Sequence, residues 1–341
     1  MSSIKILNRN ATVEAAPGQS ILDAALDAGI DYPFGCHAGN CGACKTRLIT
    51  GDVHIGDHSV LALNDAERRS GLILACCSTA LTDCVVHYEE DSEAPRHPLR
   101  VIEAAVAGVE QATHDIVVLR LALTGAQPFT FSAGQFASLM FRGAPTRDYS
   151  MANRPDQRPL SFHVRRVPNG TVSSLIHRGD IIGQPVTIRG PYGTSFLREH
   201  HQGPVLAVAG GSGLAPITSI ITTALKLGMK QQIILYFGAR EARDLYLVDF
   251  FRELSRHHQN FEFIPVLSHT QSTTAARTGF LADVIGADFS DLKGWKAYLA
   301  GPPVMVETVT QTLAVRGLDR SDCHADPFYT AGDRIRPSAA G

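Results

Sequence analysis

Six of the seven cysteines in this 341-residue chain fall in its first quarter: Cys36, Cys41, Cys44, Cys76, Cys77 and Cys84. The run Cys36-His-Ala-Gly-Asn-Cys41-Gly-Ala-Cys44 spaces three thiols as C-x4-C-x2-C. A fourth is offered by Cys76 or Cys77 in Leu-Ile-Leu-Ala-Cys-Cys. This spacing suits a [2Fe–2S] cluster, where four thiolates converge on two irons and one tight loop supplies three of them. Ala38, Gly39, Gly42 and Ala43 are small, so the loop can wrap closely and aim backbone N–H groups at sulfur. Structural zinc sites come as two paired knuckles, and only one pair fits here. A redox-sensing loop is the other reading of the same thiols. A Rieske centre would need two histidines in place of two cysteines, so His37 reads as a surface residue.

A second chemical signal is Gly210-Gly211-Ser212-Gly213-Leu214-Ala215-Pro216, between the apolar run PVLAVAG and the helical pattern ITSIITTALKLG. Strand, glycine turn and helix form the dinucleotide arrangement, with pyrophosphate at a helix N-terminus. Pro216 replaces the last glycine of the usual motif, and proline suits the first turn of a helix. Alone, such a loop is equally a plain βα turn. Three further patches are individually weak: Arg147-Asp-Tyr149-Ser150-Met-Ala-Asn153; His163-Val164-Arg165 followed by Gly170-Thr-Val172-Ser173-Ser174; and Gly190-Pro191-Tyr192-Gly193. Arg240 and Arg243 could accept a ribose 2′-phosphate, where a strict NAD site often carries an acid. They also read as solvated loop charge. Asp326 and Phe328 stand near the end, in His-Ala-Asp-Pro-Phe-Tyr, and the bland reading there is a tail with one packed ring.

These residues need elements to position them. Alternation over 4–7 and 11–15 predicts a hairpin, and Ser20-x-x-Asp23 predicts the start of a helix over Ile21–Ala28 that stops at Gly29. Short β patterns crowd residues 100–200, as an antiparallel barrel requires. Beyond them IILYFGAR, FEFIPVLS and AYLAGPP alternate with helical segments, which predicts a parallel sheet covered by helices. The chain is therefore multidomain: an α+β module over 1–94, a barrel over 98–200, an α/β domain over 201–325 and a tail over 326–341. Residues 89–99 read as a linker and those after Tyr329 as mobile.

Composition bounds the function. With 19% charged and 44% hydrophobic residues the chain is neither disordered nor fibrous. A net charge of −2 argues against nucleic acid, and no apolar run is long enough to span a membrane. The start, MSSIKILNRN, lacks the build of a signal peptide, so a cytoplasmic location with free or ligating thiols is expected. Residues 1–94 hold 13 Asp and Glu against 6 Lys and Arg, so a net −7 sits on the cysteine-rich module and +5 on the remainder.

The first 90 residues resemble the plant-type ferredoxins, which implies a β-grasp fold with its cluster near the surface. The ferredoxin Leu-x-Cys pattern selects Cys76 as fourth ligand beside Cys36, Cys41 and Cys44, leaving Cys77 and Cys84 as small buried residues. The order Arg-x-Tyr-Ser, Gly-x-x-Ser, Gly-Pro-Tyr-Gly resembles the flavin domain of the ferredoxin–NADP reductase superfamily. That resemblance implies that Arg147 pairs with the flavin pyrophosphate, Tyr149 packs on the ring and Ser150 bonds near N5. It also implies that His163, Val164, Gly170, Val172 and Ser173 belong to the flavin site, and that the second phosphate anchor favours FAD over FMN. GGSGLAP, YFGAR and AGPPVMVE resemble the nicotinamide domain of the same superfamily. Gly211, Ser212, Gly213 and Pro216 would hold the NAD(P)H phosphates, Arg240 would lie on the ribose side, and Gly301 and Pro302 would close on the nicotinamide. Phe328 would lie at the flavin face with Asp326 as its polar partner.

Nearly the whole chain resembles the reductase components of bacterial aromatic-ring-hydroxylating dioxygenases. RDYSMAN, YFGAR and HADPF look closest to the naphthalene, salicylate and terephthalate types. The resemblance implies electron flow from NAD(P)H, with NADH favoured, through FAD and a [2Fe–2S] cluster to a Rieske-type oxygenase or its small ferredoxin. Reductases of di-iron phenol or methane monooxygenases share this order and are the alternative. A non-enzymatic iron–sulfur sensor is the reading from another class, and a diaphorase acting on small acceptors a third.

Overall fold

The computed structural model describes residues 1–35, 37, 39, 42–59, 62–88, 93, 97–269 and 276–329. The chain divides into two compact units, one built on Met1–Arg96 and the other on His97–Pro191 with Ser195–Phe328. Most of the expected linker, all of the chain beyond Tyr329, and both Cys36 and Cys41 lie outside the described residues.

The first unit contains β1 (Ser2–Ile6), β2 (Ala11–Ala15), α1 (Ile21–Asp27), β3 (Lys45–Thr50), β4 (Val53–Ile55), α2 (Asp65–Arg69), β5 (Leu72–Leu74), β6 (Ser78–Ala80) and β7 (Cys84–Tyr88). Its main sheet runs β2-β1-β7-β3-β5, with β1 and β7 parallel and the other pairs antiparallel. This is the β-grasp arrangement. The helix α1 starts where the sequence predicts, because the Ser20 hydroxyl accepts from the Asp23 backbone N–H. It buries Ile21, Leu22, Ala24 and Ala25, and Gly29 follows its end at φ 75°, the left-handed stop that glycine adopts freely.

The second unit opens with an antiparallel barrel. Its elements are β8 (Arg100–Gln111), β9 (Ile116–Leu123), β10 (Phe136–Phe141), β11 (Arg147–Ser150), β12 (Leu160–Arg165), α3 (Thr171–Arg178) and β13 (Pro185–Tyr192). The sheet order is β11-β10-β13-β8-β9-β12. A bridge between Met151 and Phe162 returns its last edge to its first. Leu119, Leu121, Leu139, Phe162 and Ile188 fill the interior at full burial. Each such side chain contributes about 1.5–3 kcal/mol relative to exposure.

An α/β module completes the second unit: β14 (Val205–Gly210), α4 (Leu214–Lys226), β15 (Ile233–Ala239), α5 (Val248–His257), β16 (Phe261–Leu267), β17 (Arg277–Thr278), α6 (Leu281–Asp288), β18 (Lys296–Gly301), α7 (Pro303–Val315) and β19 (Cys323–Pro327). The sheet is wholly parallel in the order β17-β16-β15-β14-β18-β19. Every residue of β14 is buried because both sheet faces are covered. Val205, Ala207 and Ala209 pack toward α4 and α5, while Leu206 and Val208 pack toward α6 and α7. The strand order reverses between β14 and β18, and ligands of open α/β sheets bind at the carboxyl ends of strands flanking such a point. One expectation changes. Asp326 and Pro327 do not open a tail but close β19, which pairs with β18 along the whole of Cys323–Pro327.

Candidate functional site

The carboxyl ends of β14 and β18 interlock through their glycines. A Cβ on Gly213 would stand 2.1 Å from the Ala300 carbonyl oxygen, and one on Gly301 would stand 2.7 Å from the Gly210 carbonyl oxygen. Gly301 adopts φ 143° and Gly211 φ 56°, conformations that suit glycine. The two turns therefore approach as closely as backbone allows. Gly211 and Ser212 stay partly exposed at the mouth, Gly213 is buried, and Pro216 lies in the first turn of α4. Pro302 is exposed beside them. The Leu214 N–H at the start of α4 donates back to the Gly211 carbonyl and Pro216 has no N–H, so an anion at this end of the helix would meet the glycine turn and the helix dipole.

The barrel brings its own residues to this edge. Ser150 ends β11 with 6% exposure, and its hydroxyl donates to the Asp326 carboxylate at 3.3 Å. Asp326 pairs in register with Ala300, the residue against Gly213. Phe328 is set by its backbone N–H, which donates to the Gly301 carbonyl at 2.8 Å, and it packs partly buried on the core. Ser150, Asp326, Phe328, Gly213 and Gly301 are thus gathered in one place. The loop after Ser150 is anchored there too. Ser219 of α4 donates to the Asn153 carbonyl at 2.7 Å, and the Asn153 side chain accepts from the Ser161 backbone at 2.8 Å.

The remaining barrel residues fall in two groups. Arg147 is exposed on β11, its guanidinium donating to the adjacent Thr146 carbonyl. Tyr149 is half-buried, and desolvation raises its phenol above the ordinary range. Gly170 caps α3 without a side-chain bond. A Cβ there would stand 2.6 Å from the Ser173 hydroxyl. Val172 is in the barrel core, and the Ser173 hydroxyl accepts from the Val167 N–H at 3.1 Å. At this anchor the backbone N–H groups of α3, rather than the side chains of Val172 and Ser173, are what a phosphate would meet.

His163 and Val164 are buried on β12. The His163 Nδ1 lies 2.9 Å from the Tyr246 hydroxyl, and burial lowers its pKa to about 3, so the imidazole is neutral. Tyr246 in turn donates to the Gly211 carbonyl at 3.2 Å. Tyr246 lies outside the sequence patches, and Arg165 enters only as the last residue of one. Arg165 bonds Asp115 at 2.7 Å, and its Nη1 would be 3.5 Å from a Cβ on Gly211. A guanidinium from the barrel therefore stands beside the glycine turn. The sole sequence signal was its place in the His-Val-Arg patch.

Arg240 is exposed after β15, and Arg243 is held by Glu241, with Nε 3.0 Å from its carboxylate. The acid of this pair lies two residues past the second strand.

In the cysteine-rich unit, Cys44 is buried and Cys76 half-buried. Hydrogen bonds from Cys44 and Cys77, opposed by desolvation and aided by the Gly39 backbone and His37, hold the Cys76 thiol far below its ordinary range. Gly39 at φ 73° and Gly42 at φ 76° press against Asp57 and Ala62 backbone, so a side chain at either would be obstructed. Among the described residues, the Cys44 and Cys76 sulfurs in contact, the Gly39 backbone donor and the crowding at Gly39 and Gly42 fit part of a [2Fe–2S] site. His37 is partly exposed, and its Nε2 lies 2.8 Å from Asp23 on α1. Cys77 is half-buried and Cys84 buried.

The comparisons agree with this geometry. Residues 4–81 match the 2Fe-2S iron-sulfur cluster binding domain, 103–196 the oxidoreductase FAD-binding domain and 207–311 the oxidoreductase NAD-binding domain. The chain is 36% identical over 323 residues to the reductase component of the naphthalene 1,2-dioxygenase system of Pseudomonas putida, covering 95% of this chain and 97% of that one. It is 36% identical over 328 residues to the phenol 2-monooxygenase reductase component of a Pseudomonas species, covering 94% and 92%. Among solved structures it is similar to an Amycolatopsis cytochrome P450 reductase, with TM-score 0.79, 35% identity and coverage of 96% and 99%. It also resembles the ferredoxin reductase of carbazole 1,9a-dioxygenase, with TM-score 0.70, 29% identity and coverage of 96% and 98%. No described helix is long and apolar enough to cross a membrane.

Proposed function

The chain belongs to the ferredoxin–NAD(P)+ reductase components of oxygenase systems, and on that premise we propose that it draws electrons from NADH for a Rieske-type terminal oxygenase or its small ferredoxin. It is an oxidoreductase, and a non-enzymatic sensor fits its family less well. When bound, FAD supplies the change from a two-electron hydride to single electrons and the [2Fe–2S] cluster supplies their one-by-one delivery.

The observation that carries the reading is the meeting of Ser150 and Asp326 at the interlocked glycine turns. Ser150 presents a hydroxyl where the flavin nitrogen would lie, and Asp326 orients that hydroxyl and can hold a proton at its carboxylate. Arg147 and the N-terminus of α3 from Gly170 bind the flavin pyrophosphate. Tyr149 and Phe328 flank the ring and exclude water. His163 and Val164 form the wall of the flavin site. Gly211 to Pro216 hold the coenzyme phosphates, and Gly301 with Pro302 close on the nicotinamide. Glu241 occupies Arg243, which leaves an acid near the ribose side and favours NADH over NADPH. Arg240 is the remaining cation there.

Cys36, Cys41, Cys44 and Cys76 hold the cluster. Working boundaries are 1–94 for the ferredoxin domain, 98–200 for the FAD barrel and 201–325 for the NAD(P) domain. The cytoplasm is the expected site of action. Excess acid in 1–94 suits docking to a basic surface. Di-iron phenol-type monooxygenases are the second reading for the partner, favoured by the phenol 2-monooxygenase relative. Reconstitution tests the choice. NADH-driven turnover with a Rieske oxygenase that falls steeply as salt rises supports the proposal, and turnover with only a di-iron hydroxylase overturns its Rieske part.

A further inference from the structure

Tyr246 follows the second strand of the parallel sheet and is buried at 6% exposure. Its ring packs edge-on against Phe237, with centroids 5.6 Å apart, and against His163, at 5.3 Å. The hydroxyl has one proton and two neighbours. It donates to the Gly211 carbonyl at 3.2 Å, so the contact with His163 Nδ1 at 2.9 Å is completed by the imidazole N–H donating to the phenol oxygen. This assignment leaves no conflict, because both rings are neutral. The chain of bonds runs from flavin strand β12, through His163 and Tyr246, to the first residue of the coenzyme turn.

A carbonyl orientation is also a peptide orientation. Fixing the oxygen of Gly211 fixes the peptide plane whose other end is the N–H of Ser212. Gly211 has φ 56°, where glycine has freedom, and its carbonyl accepts from the Leu214 N–H within the turn and from the Tyr246 hydroxyl outside it, so the phenol is the bond that ties the turn to the flavin strand. We propose that Tyr246 is a positioning residue, a strut that holds the coenzyme turn in register with the flavin strand and so sets the approach of nicotinamide to flavin. The proposal rests on the reading of 211–216 as the coenzyme turn. It adds a residue outside every motif.

The test compares the flavin-loaded full chain with Tyr246→Phe, which keeps the ring and removes the hydroxyl. Deuterium uptake over 210–216 is expected to rise at least fivefold in rate, with β16 unchanged. The limiting rate of flavin reduction by NADH is expected to fall about tenfold, as a misplaced reactant costs, while the dissociation constant for NAD+ moves less than about threefold. His163→Leu, which removes the N–H donor, is expected to raise exchange over 210–216 in the same direction by less, because the phenol still reaches Gly211. If Tyr246→Phe does not fold, deuterium uptake over 210–216 in His163→Leu carries the test. Parent-like exchange and reduction in Tyr246→Phe, or, where that variant does not fold, parent-like exchange in His163→Leu, overturns the strut. A parent protein whose flavin NADH does not reduce overturns the coenzyme reading instead, and the exchange measurement still judges the strut.

Discussion

Ser150 and Asp326 stand 176 positions apart in the chain, yet the hydroxyl of one donates to the carboxylate of the other at 3.3 Å. The contact joins the end of barrel strand β11 to the end of sheet strand β19, the last element before Phe328. Neither residue could be linked to the other by local sequence. A charge-assisted bond of this kind is worth about 1.5–3 kcal/mol, so Ser150→Ala should slow flavin reduction by NADH about 10- to 100-fold. Asp326→Asn should fall in the same direction by less, because the amide oxygen still accepts from the hydroxyl. Stopped-flow reduction of flavin-replete variants checks this, and FAD content should match that of the parent.

The glycine turns give a contrast at one site. Gly213→Ala places a methyl against the Ala300 backbone, which cannot yield, so a loss of about 3 kcal/mol or more is expected. Gly210→Ala meets chiefly the Met305 thioether, 2.5 Å from the new Cβ, and a flexible side chain can move, so about 1 kcal/mol is expected. Urea denaturation of the two variants would reveal the order. Equal losses would mean that the interlock is looser than the geometry states.

Coenzyme choice is tested at Glu241. Glu241→Gln releases Arg243, and the ratio of NADPH to NADH in kcat/KM should rise about fivefold, the scale of one exposed ion pair. Steady-state kinetics with both coenzymes measures it. An unchanged ratio would remove this pair from the discrimination.

Adjacent cysteines separate by role. Cys76→Ser should lose most of the bound iron, whereas Cys77→Ser should retain it with only a spectral shift, since Cys77 lies against Cys76 but is not a proposed ligand. Iron and sulfide analysis decides between them.

Stability should depend on pH through His163. Burial lowers its pKa to about 3, below the unfolded value. The unfolded chain therefore binds the proton first, and stability present above about pH 6.5 is lost as pH falls toward 3. One such histidine removes about 2 kcal/mol between pH 7 and pH 5. His324, also lowered to about 3, acts in the same direction. Denaturation at the two pH values should show a smaller drop for His163→Asn than for the parent by that amount.

Much of this was legible in the sequence. Ser20 and Gly29 bound a helix because caps and left-handed stops are local. Periodicity named the barrel strands and the parallel sheet, and the glycine turn marked where β14 passes into α4. What escaped depended on tertiary contact. CHADP carries neither alternation nor β-branched residues, so strand β19 exists only because β18 offers an edge. The contact of His37 with Asp23 of α1 joins residues 14 positions apart and carries no local signal. Tyr246 and Arg165 come beside Gly211 only in the fold, and Gly211 is 35 positions from Tyr246.

The central claim is a line of electron flow from NADH to the cluster. An anaerobic titration with NADH, followed by visible absorption and low-temperature EPR, tests it most directly. The expected result is bleaching of the flavin bands with growth of a rhombic [2Fe–2S] signal, and a weaker response to NADPH. Bleaching without that signal would contradict the cluster assignment at Cys36, Cys41, Cys44 and Cys76, and no change in either would contradict the reductase reading itself.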